Sequence, residues 1–510
     1  MWSATPWCGR SSRLMGVPRS GRRRGARGKG KGRIERERAE GRARLPLSPA
    51  SICYGILGLG LFLGLLSFQF NPQSPWLYSF LEWEELLANG LIALVLLGLL
   101  ALYLRLRRPE LFEPSDEAGT GAKGQTRAPA FLSGLVLMTL VLDKGAAILS
   151  PYLTPVALGV GLGVIFFGTE VGFLLAVALA LLMGLGRELA PLESLVAFGG
   201  GLAMLFGARK VRRWSELALA GIGVSLMNML LLLGASIPTA GISWNAVAWA
   251  GINGLICYLL LLGGIPISEY ITGKTSPLGL MELLSPDHPL MERLQREAPG
   301  TYHHSANVAH LGANAARAIG ADPLLTEVGG YYHDIGKLEN PAYFAENQEG
   351  GQNPHDELSP SMSRLILAAH VRRGVELGRE YGLRWDVLRF IPEHHGTSVI
   401  RYFYLKALQE GKERTSISMD DYRYEATRPK TKETAIIMLA DSVEAAARAA
   451  GNENLEEIIQ EQIWAKFEDG QLDKAPLTVA DLHRIARAFY ETLRAMRHGR
   501  PESYPRPSET

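Results

Sequence analysis

"LLTEVGGYYHDIGKLENP", residues 324–341, is an apolar, helix-compatible run that ends in a histidine–aspartate pair. Gly336 closes the run behind His333 and Asp334, and Pro341 stops it soon after. Neighbours on a helix point about 100° apart, so the pair can share one site only if that site lies beside the helix. There a carboxylate can bridge two cations while the imidazole binds one. Alone, such a dipeptide reads as readily as a solvated or locally hydrogen-bonded patch.

The surrounding sequence favours the first reading. All eleven histidines lie at or beyond His288, and eight of them fall between His303 and His395. "ILAAHVRRG" sets His370 in an apolar helical run, "FIPEHHGTS" supplies His394 and His395, and "TAIIMLADSVEAAARAA" puts Asp441 inside a strongly apolar helix. A carboxylate there is costly to bury unless it is paired or bound to a cation. Taken singly, His370 reads as a backbone-bonded core histidine, His394 or His395 as a helix-end cap, and Asp441 as an ion pair with Arg448. One carboxylate- and imidazole-rich dinuclear site replaces those separate explanations. In "GTYHHSANVAHLG", residues 300–312, the adjacent His303 and His304 are both open candidates.

Upstream the composition changes. Over 510 residues with a formal charge of +2, the average conceals two unlike halves. Residues 1–48 form an Arg- and Gly-rich arm, expected to be disordered and cytoplasmic. Residues 49–270 are dominated by Leu, Ala, Gly and Val. Runs long enough for a hydrocarbon core of about 30 Å fall near 51–68, 86–106, 130–150, 152–168, 170–186, 190–207, 215–235 and 244–266, about eight spans. The connecting charges give their direction. The arm, "RLRRPELFEPSDEAGTGAKGQTR" and "ARKVRRW" are basic and read as inside; "FQFNPQSPWLYSFLEWEE" and "GASIPTAGISWN" lack Lys and Arg and read as outside. An even count returns the C-terminal half to the cytoplasm. Asp143, Lys144, Glu170 and Glu193 fall at or near span ends, as interfacial anchors rather than a transport path. Cys8, Cys53 and Cys257 lie far apart and outside the histidine-rich half, so neither a disulfide framework nor a zinc–thiolate cluster is expected.

Five motifs together carry a resemblance. "EAPGTYHHS", "YYHDIGKLENPAYFAENQ", "NPHDELSPS", "EHHGTSVIRYFY" and "TKETAIIMLADSVEAAAR" resemble, in order and spacing, those of the HD superfamily of metal-dependent phosphohydrolases. The nearer likeness is to its membrane-anchored PgpH type, the seven-transmembrane receptors with an intracellular HD hydrolase domain. It implies an all-α fold: a polytopic helical membrane domain, a linker at 271–298, an all-helical cytosolic HD domain at 299–500 and a tail at 501–510. Matched residue by residue, it implies that His304, His333, Asp334 and Asp441 hold one divalent ion and Asp334, His370, His394 and His395 a second, manganese or iron. His303 and His310 stay outside the shell.

The activity implied is hydrolysis of cyclic di-AMP to linear pApA at a bacterial cell membrane, with Asp334 and Lys337 as the catalytic pair. Two ions can lower the pKa of a water and stabilise an in-line displacement at phosphorus without a covalent nucleophile. Lys337, Thr397 and Ser398 are candidate phosphate contacts, and Tyr343, Asn347, Gln348 and His355 candidate nucleotide contacts. The expected partners are the cyclic dinucleotide and the lipid bilayer; a homodimer is compatible with the likeness, and no nucleic-acid polymer is expected.

Two departures matter. Longer members carry an extracellular domain between the first two spans, and here only residues 69–85 separate them. A related branch that acts on cyclic di-GMP has a Gly-Tyr-Pro motif after its tandem histidines, where this chain reads "HHGTSVIRYFY". Alternatives from other classes are hydrolysis of another nucleotide, an idle HD domain that senses nucleotide for the membrane half, and a transporter regulated by the HD domain. Beyond Asp441, "LEEIIQEQIWAKFEDGQLDKAPLTVADLHRIARAFYETLRAMR" predicts two amphipathic helices with Thr478 as an N-cap.

Overall fold

The computed structural model describes residues 68–70, 78–80, 83–112, 115–116, 123–124, 127–185, 187, 190–237, 241–348, 353–410, 417–450 and 454–497. The arm, the tail and nearly all of the expected span at 51–68 lie outside the described residues. Two short antiparallel ribbons, Phe68–Phe70 with Tyr78–Phe80 and Ser115–Asp116 with Lys123–Gly124, form in the segments that flank the first long helix. Everything else of consequence is helical.

The apolar half comprises α1 Trp83–Arg107, α2 Arg127–Ala147, α3 Val156–Phe167, α4 Thr169–Leu185, α5 Pro191–Ala208, α6 Trp214–Ser236 and α7 Trp244–Thr272. Five of these (α1, α2, α5, α6 and α7) are long and apolar enough to cross a membrane, while α3 and α4 are shorter. Pro151 and Pro155 keep the chain out of helix until Val156, and Gly168, at φ 90°, breaks α3 from α4. At 1.5 Å per residue α3 is roughly 18 Å long, short of a hydrocarbon core of about 30 Å. It is buried along its length except at Ile165, packed among α2, α4, α5 and α7. Hydropathy alone does not separate such an interior helix from one that faces lipid.

Around this interior, Leu87, Leu91 and Leu99 of α1 and Leu219, Leu226 and Leu230 of α6 are exposed, an apolar coat suited to acyl chains. The charges sit at helix ends and find partners there. Asp143, 2% exposed, takes Arg187 Nη2 at 2.7 Å, and Glu170 accepts from the Tyr103 hydroxyl at 2.8 Å.

The C-terminal half runs α8 Pro277–Leu283, α9 Pro289–Glu297, α10 Pro299–Ile319, α11 Pro323–Tyr332, α12 Pro360–Glu380, α13 Trp385–Leu388, α14 Phe390–Glu393, α15 Arg401–Glu410, α16 Lys432–Ala450, α17 Leu455–Glu468 and α18 Val479–Arg497. Proline at the first helical position recurs, with Ser276, Asp322 and Ser359 capping α8, α11 and α12 through their side chains. Ile436 to Ala440 of α16 are fully buried, so this helix is the spine; Val308 and Leu311 of α10, Ile459 and Ile463 of α17, and Ile485 and Phe489 of α18 close around it. Thr478 caps α18 as its sequence implied, with Oγ1 accepting from Asp481 N at 3.1 Å while Asp481 returns the bond to Thr478 N.

The segment expected as a linker is folded. Leu280 of α8 and Leu290, Met291 and Leu294 of α9 enter a second core with Leu324, Val328 and Tyr332 of α11 and Val387 and Leu388 of α13. The apolar spacing of "PLMERLQRE" makes it a strap: α9 and Leu280 pack in the C-terminal core, while Leu278 packs in the core of the apolar half.

Candidate metal centre

Close backbone approaches set the site. Gly330 of α11 lies against the Ala309 backbone of α10, and a Cβ on Gly336 would collide with the His370 carbonyl and Gly374 N of α12. Glycine is required at both places by contact alone. The α11 helix therefore ends at His333, its C-cap, and turns through Asp334 into a 3-10 turn at Ile335–Glu339 that crosses α12. The histidine–aspartate pair thus sits beside the helix end, between α10, α12 and α16.

Asp334 is the hub, 1% exposed. Its Oδ2 lies 3.2 Å from His333 Nε2 and 3.7 Å from His304 Nε2; its Oδ1 lies 3.4 Å from His370 Nε2 and 3.5 Å from His394 Nε2. One oxygen faces each pair of imidazoles. Ligand atoms of His304, His333 and Asp334 fall within 4.8 Å of one another, as do those of Asp334, His370, His394 and His395. Asp441 closes the remaining side, with Oδ1 3.1 Å from His304 Nε2 and Oδ2 3.9 Å from His395 Nδ1. All seven residues implied by the resemblance are brought to one place. Asp441 pairs with His304 rather than Arg448, which reaches Glu444 instead.

The imidazoles are aimed by their other nitrogens. His333, His370 and His394 direct Nδ1 at the carbonyls of Gly330 (2.7 Å), Leu367 (2.6 Å) and Ile391 (2.7 Å). A carbonyl only accepts, so each Nδ1 carries the proton and each Nε2 presents a lone pair inward. His304 differs: its Nδ1 donates to the Glu444 carboxylate at 2.6 Å and its Nε2 meets Asp441 Oδ1 at 3.1 Å. Nε2 of His333, His370 and His394, together with Asp334 Oδ1, are buried without a hydrogen-bond partner. Buried polar atoms are normally satisfied; several orphaned electron-pair donors converging on one carboxylate fit divalent cations.

The electrostatics agree. Burial holds His370 down to about 4, so it is neutral and able to ligate at ordinary pH. Burial also opposes charge on His304, but hydrogen bonds to Asp441 and Glu444 prevail and push it up to about 9. For Asp334, burial works against ionisation, yet the Lys337 ammonium and the neighbouring imidazoles hold it well below the carboxylate range.

The other expected contacts divide. Lys337 Nζ is clamped between Asp334 Oδ2 (2.7 Å) and Glu346 Oε1 (2.6 Å), over the Phe344 ring, so it faces the hub. Asn347 is spent on Thr301, accepting from its N at 3.0 Å and donating to its Oγ1 at 2.9 Å; Gln348 donates to the Ala342 carbonyl. Asn347 fastens the 341–348 loop to α10, and Gln348 braces the loop from within. His355 packs edge-on to Tyr343, with Nδ1 buried and unpartnered. Thr397 Oγ1 accepts from Arg428 Nε and Gln471 Nε2, and Ser398 Oγ accepts from Lys466 Nζ at 2.8 Å. His303 and His310 are exposed, away from the cluster.

Sequence reasoning missed several neighbours. Glu444 lies one turn beyond Asp441 on α16 and shares its face, a spacing that could have revealed it. Tyr424, stacked on His395 at 4.1 Å between centroids, Arg428 and Lys466 arrive from distant segments with no local signal, and Glu346 comes from the irregular loop nine residues beyond Lys337.

Residues 83–276 match the family described as 7TM receptor with intracellular HD hydrolase, and residues 301–446 match the HD domain. The chain is 38% identical over 299 residues to the cyclic-di-AMP phosphodiesterase PgpH of Bacillus subtilis, covering 57% of this chain and 42% of that protein. It is 39% identical over 305 residues to the protein of the same name from Listeria monocytogenes, covering 58% of this chain and 42% of that one. The chain thus spans less than half the length of these curated relatives. A crystal structure of the L. monocytogenes PgpH HD domain in complex with cyclic-di-AMP is 41% identical, covers 42% of this chain and 99% of that domain, and has a TM-score of 0.40.

Proposed function

We propose that this chain, a PgpH-type protein in which an HD domain follows the membrane region of the 7TM receptors, is a membrane-anchored, metal-dependent phosphodiesterase that opens cyclic di-AMP to linear pApA. The observation that carries the reading is Asp334, whose two oxygens each face two imidazole Nε2 atoms. The choice of substrate rests on the two curated relatives, both named as cyclic-di-AMP phosphodiesterases. The basic inside-reading connections orient the membrane half so that the HD domain faces the cytoplasm.

His304, His333, Asp334 and Asp441 would hold one ion and Asp334, His370, His394 and His395 the other, manganese or iron. When bound, such ions lower the pKa of a water and neutralise charge in an in-line displacement at phosphorus. The backbone carbonyls and Glu444 keep the imidazoles in the ligating tautomer. Lys337 keeps Asp334 ionised and supplies positive charge beside it. Thr397 and Ser398, backed by Arg428 and Lys466, give a polar cationic edge for a phosphate next to His395. Tyr343 and His355 are assigned to the nucleotide, with Asn347 and Gln348 holding the loop that presents them.

The test uses the full chain in detergent. Its bound metal is measured, and cyclic di-AMP, cyclic di-GMP and deoxynucleoside triphosphates are offered with manganese. Conversion of cyclic di-AMP to pApA in preference to the others is expected. A folded, metal-loaded sample that turns over none of them removes the enzyme reading, and preference for another nucleotide reassigns the substrate.

A further inference from the structure

The strap that follows the last membrane helix grips the element from which the histidine–aspartate pair emerges. At its membrane end the joint is closed. Gly273, at φ 69°, turns the chain off α7 with its N–H on the Glu269 carbonyl, and the Glu269 carboxylate accepts from Ser276 N at 2.8 Å. Thr275 then donates from N and Oγ1 to the two oxygens of Asp386, at 2.7 and 2.8 Å. Asp386 belongs to α13, whose Val387 and Leu388 share a core with Tyr332 and Ile335.

At the other end, Tyr332 reaches into the turn between α8 and α9. Its hydroxyl is 2.7 Å from the Leu283 carbonyl and 3.1 Å from His288 Nδ1. The hydroxyl has one proton, which goes to the carbonyl, so His288 Nδ1 donates to the hydroxyl oxygen. Tyr332 is 1% exposed, and the next two residues in the chain are His333 and Asp334. His333 is in turn aimed by Gly330 of the same helix. A displacement of the strap therefore reaches the hub through a single residue step, with packed core on every side.

We infer that Tyr332 is a positioning residue: its hydroxyl fixes the end of α11, and so the His333–Asp334 pair, to a strap hung from the last membrane helix. The geometry of the metal centre is then set partly by where α7 ends. This rests on the reading of the cluster as a metal-dependent hydrolase, and the test separates the two.

Tyr332→Phe, made in the full chain in detergent, removes one oxygen and keeps the ring in the core. Losing a group that orients a metal ligand is felt at about tenfold or more, so kcat for cyclic di-AMP is expected to fall by about tenfold. KM should stay near wild type, because the nucleotide contacts are untouched. Manganese affinity should weaken on the same scale, and hydrogen exchange across residues 331–338 should quicken. Unchanged kcat, manganese affinity and exchange in the folded variant would overturn the inference.

If the wild-type chain hydrolyses nothing, the proposed activity has failed, and manganese affinity and exchange still decide the positioning role. If Tyr332→Phe does not fold, Thr275→Val at the far end of the strap is read the same way. Faster exchange at 331–338 supports the inference there, and wild-type exchange contradicts it.

Discussion

Asp334 carries the account at the scale of single residues, because every imidazole except His395 points a nitrogen at it within 4 Å. Replacing His333 or Asp334 with Ala should abolish both bound metal and turnover, measured by elemental analysis and product chromatography. His303→Ala should leave the metal in place, since that side chain is exposed. Glu444→Gln should weaken metal binding by about 10-fold or more, as expected when the partner of a ligating imidazole is altered. In the metal-stripped chain His304 is raised to about 9 through Asp441 and Glu444. Its charged form therefore contributes stability that is complete below the unfolded value of about 6.5 and is lost as pH rises through about 9. Melting of the stripped chain across that window should show the loss, and a melting point flat in pH would contradict it.

At this scale the candidate ligands are legible in the sequence and the groups that orient them are not. Histidines and an aspartate in apolar runs are costly unless used, so His370 and Asp441 announced themselves. His304 was separated from His303 only by the resemblance; in the structure the two are divided by helix face, one buried and one exposed. Lys337 is legible as a candidate phosphate contact, but its partner Glu346 is not, because it sits in an irregular loop whose folding no periodicity encodes.

Elements owe their positions to contacts that side-chain periodicity does not express. Gly336 meets the α12 backbone and Gly330 meets α10, so Gly336→Ala forces two backbones apart. Overpacking of this kind costs about 1–3 kcal/mol, and the domain's melting temperature should drop with metal affinity alongside it. Thr478→Ala, remote from the site, should cost about 1 kcal/mol and leave metal content alone. The helices of the C-terminal half were readable from caps, prolines and apolar spacing. The strap was not, since α8 and α9 are short and gain their order from the core they join. The same limit explains α3: an interior apolar helix and a lipid-facing one have the same composition.

Over the whole molecule, an apolar helical half and a helical metal-site half were visible as a change in composition near residue 270. What composition does not carry is how the halves are joined: among the described residues, Thr275 and Ser276 bond to Asp386 and Glu269, Leu278 packs in the core of the apolar half, and Arg384 lies over the Tyr270 ring. The exposed apolar coat of α1 and α6 predicts that the chain stays in the membrane pellet through an alkaline carbonate wash and is released by detergent. Release by the wash alone would contradict a multi-pass anchor.

The central claim is that one aspartate bridges two cations, and the direct measurement is the number of metal ions per folded chain in the wild type and in Asp334→Ala. Two manganese or iron ions per chain are expected in the first and fewer than one in the second, with the fold retained. A variant that still holds two ions would contradict it.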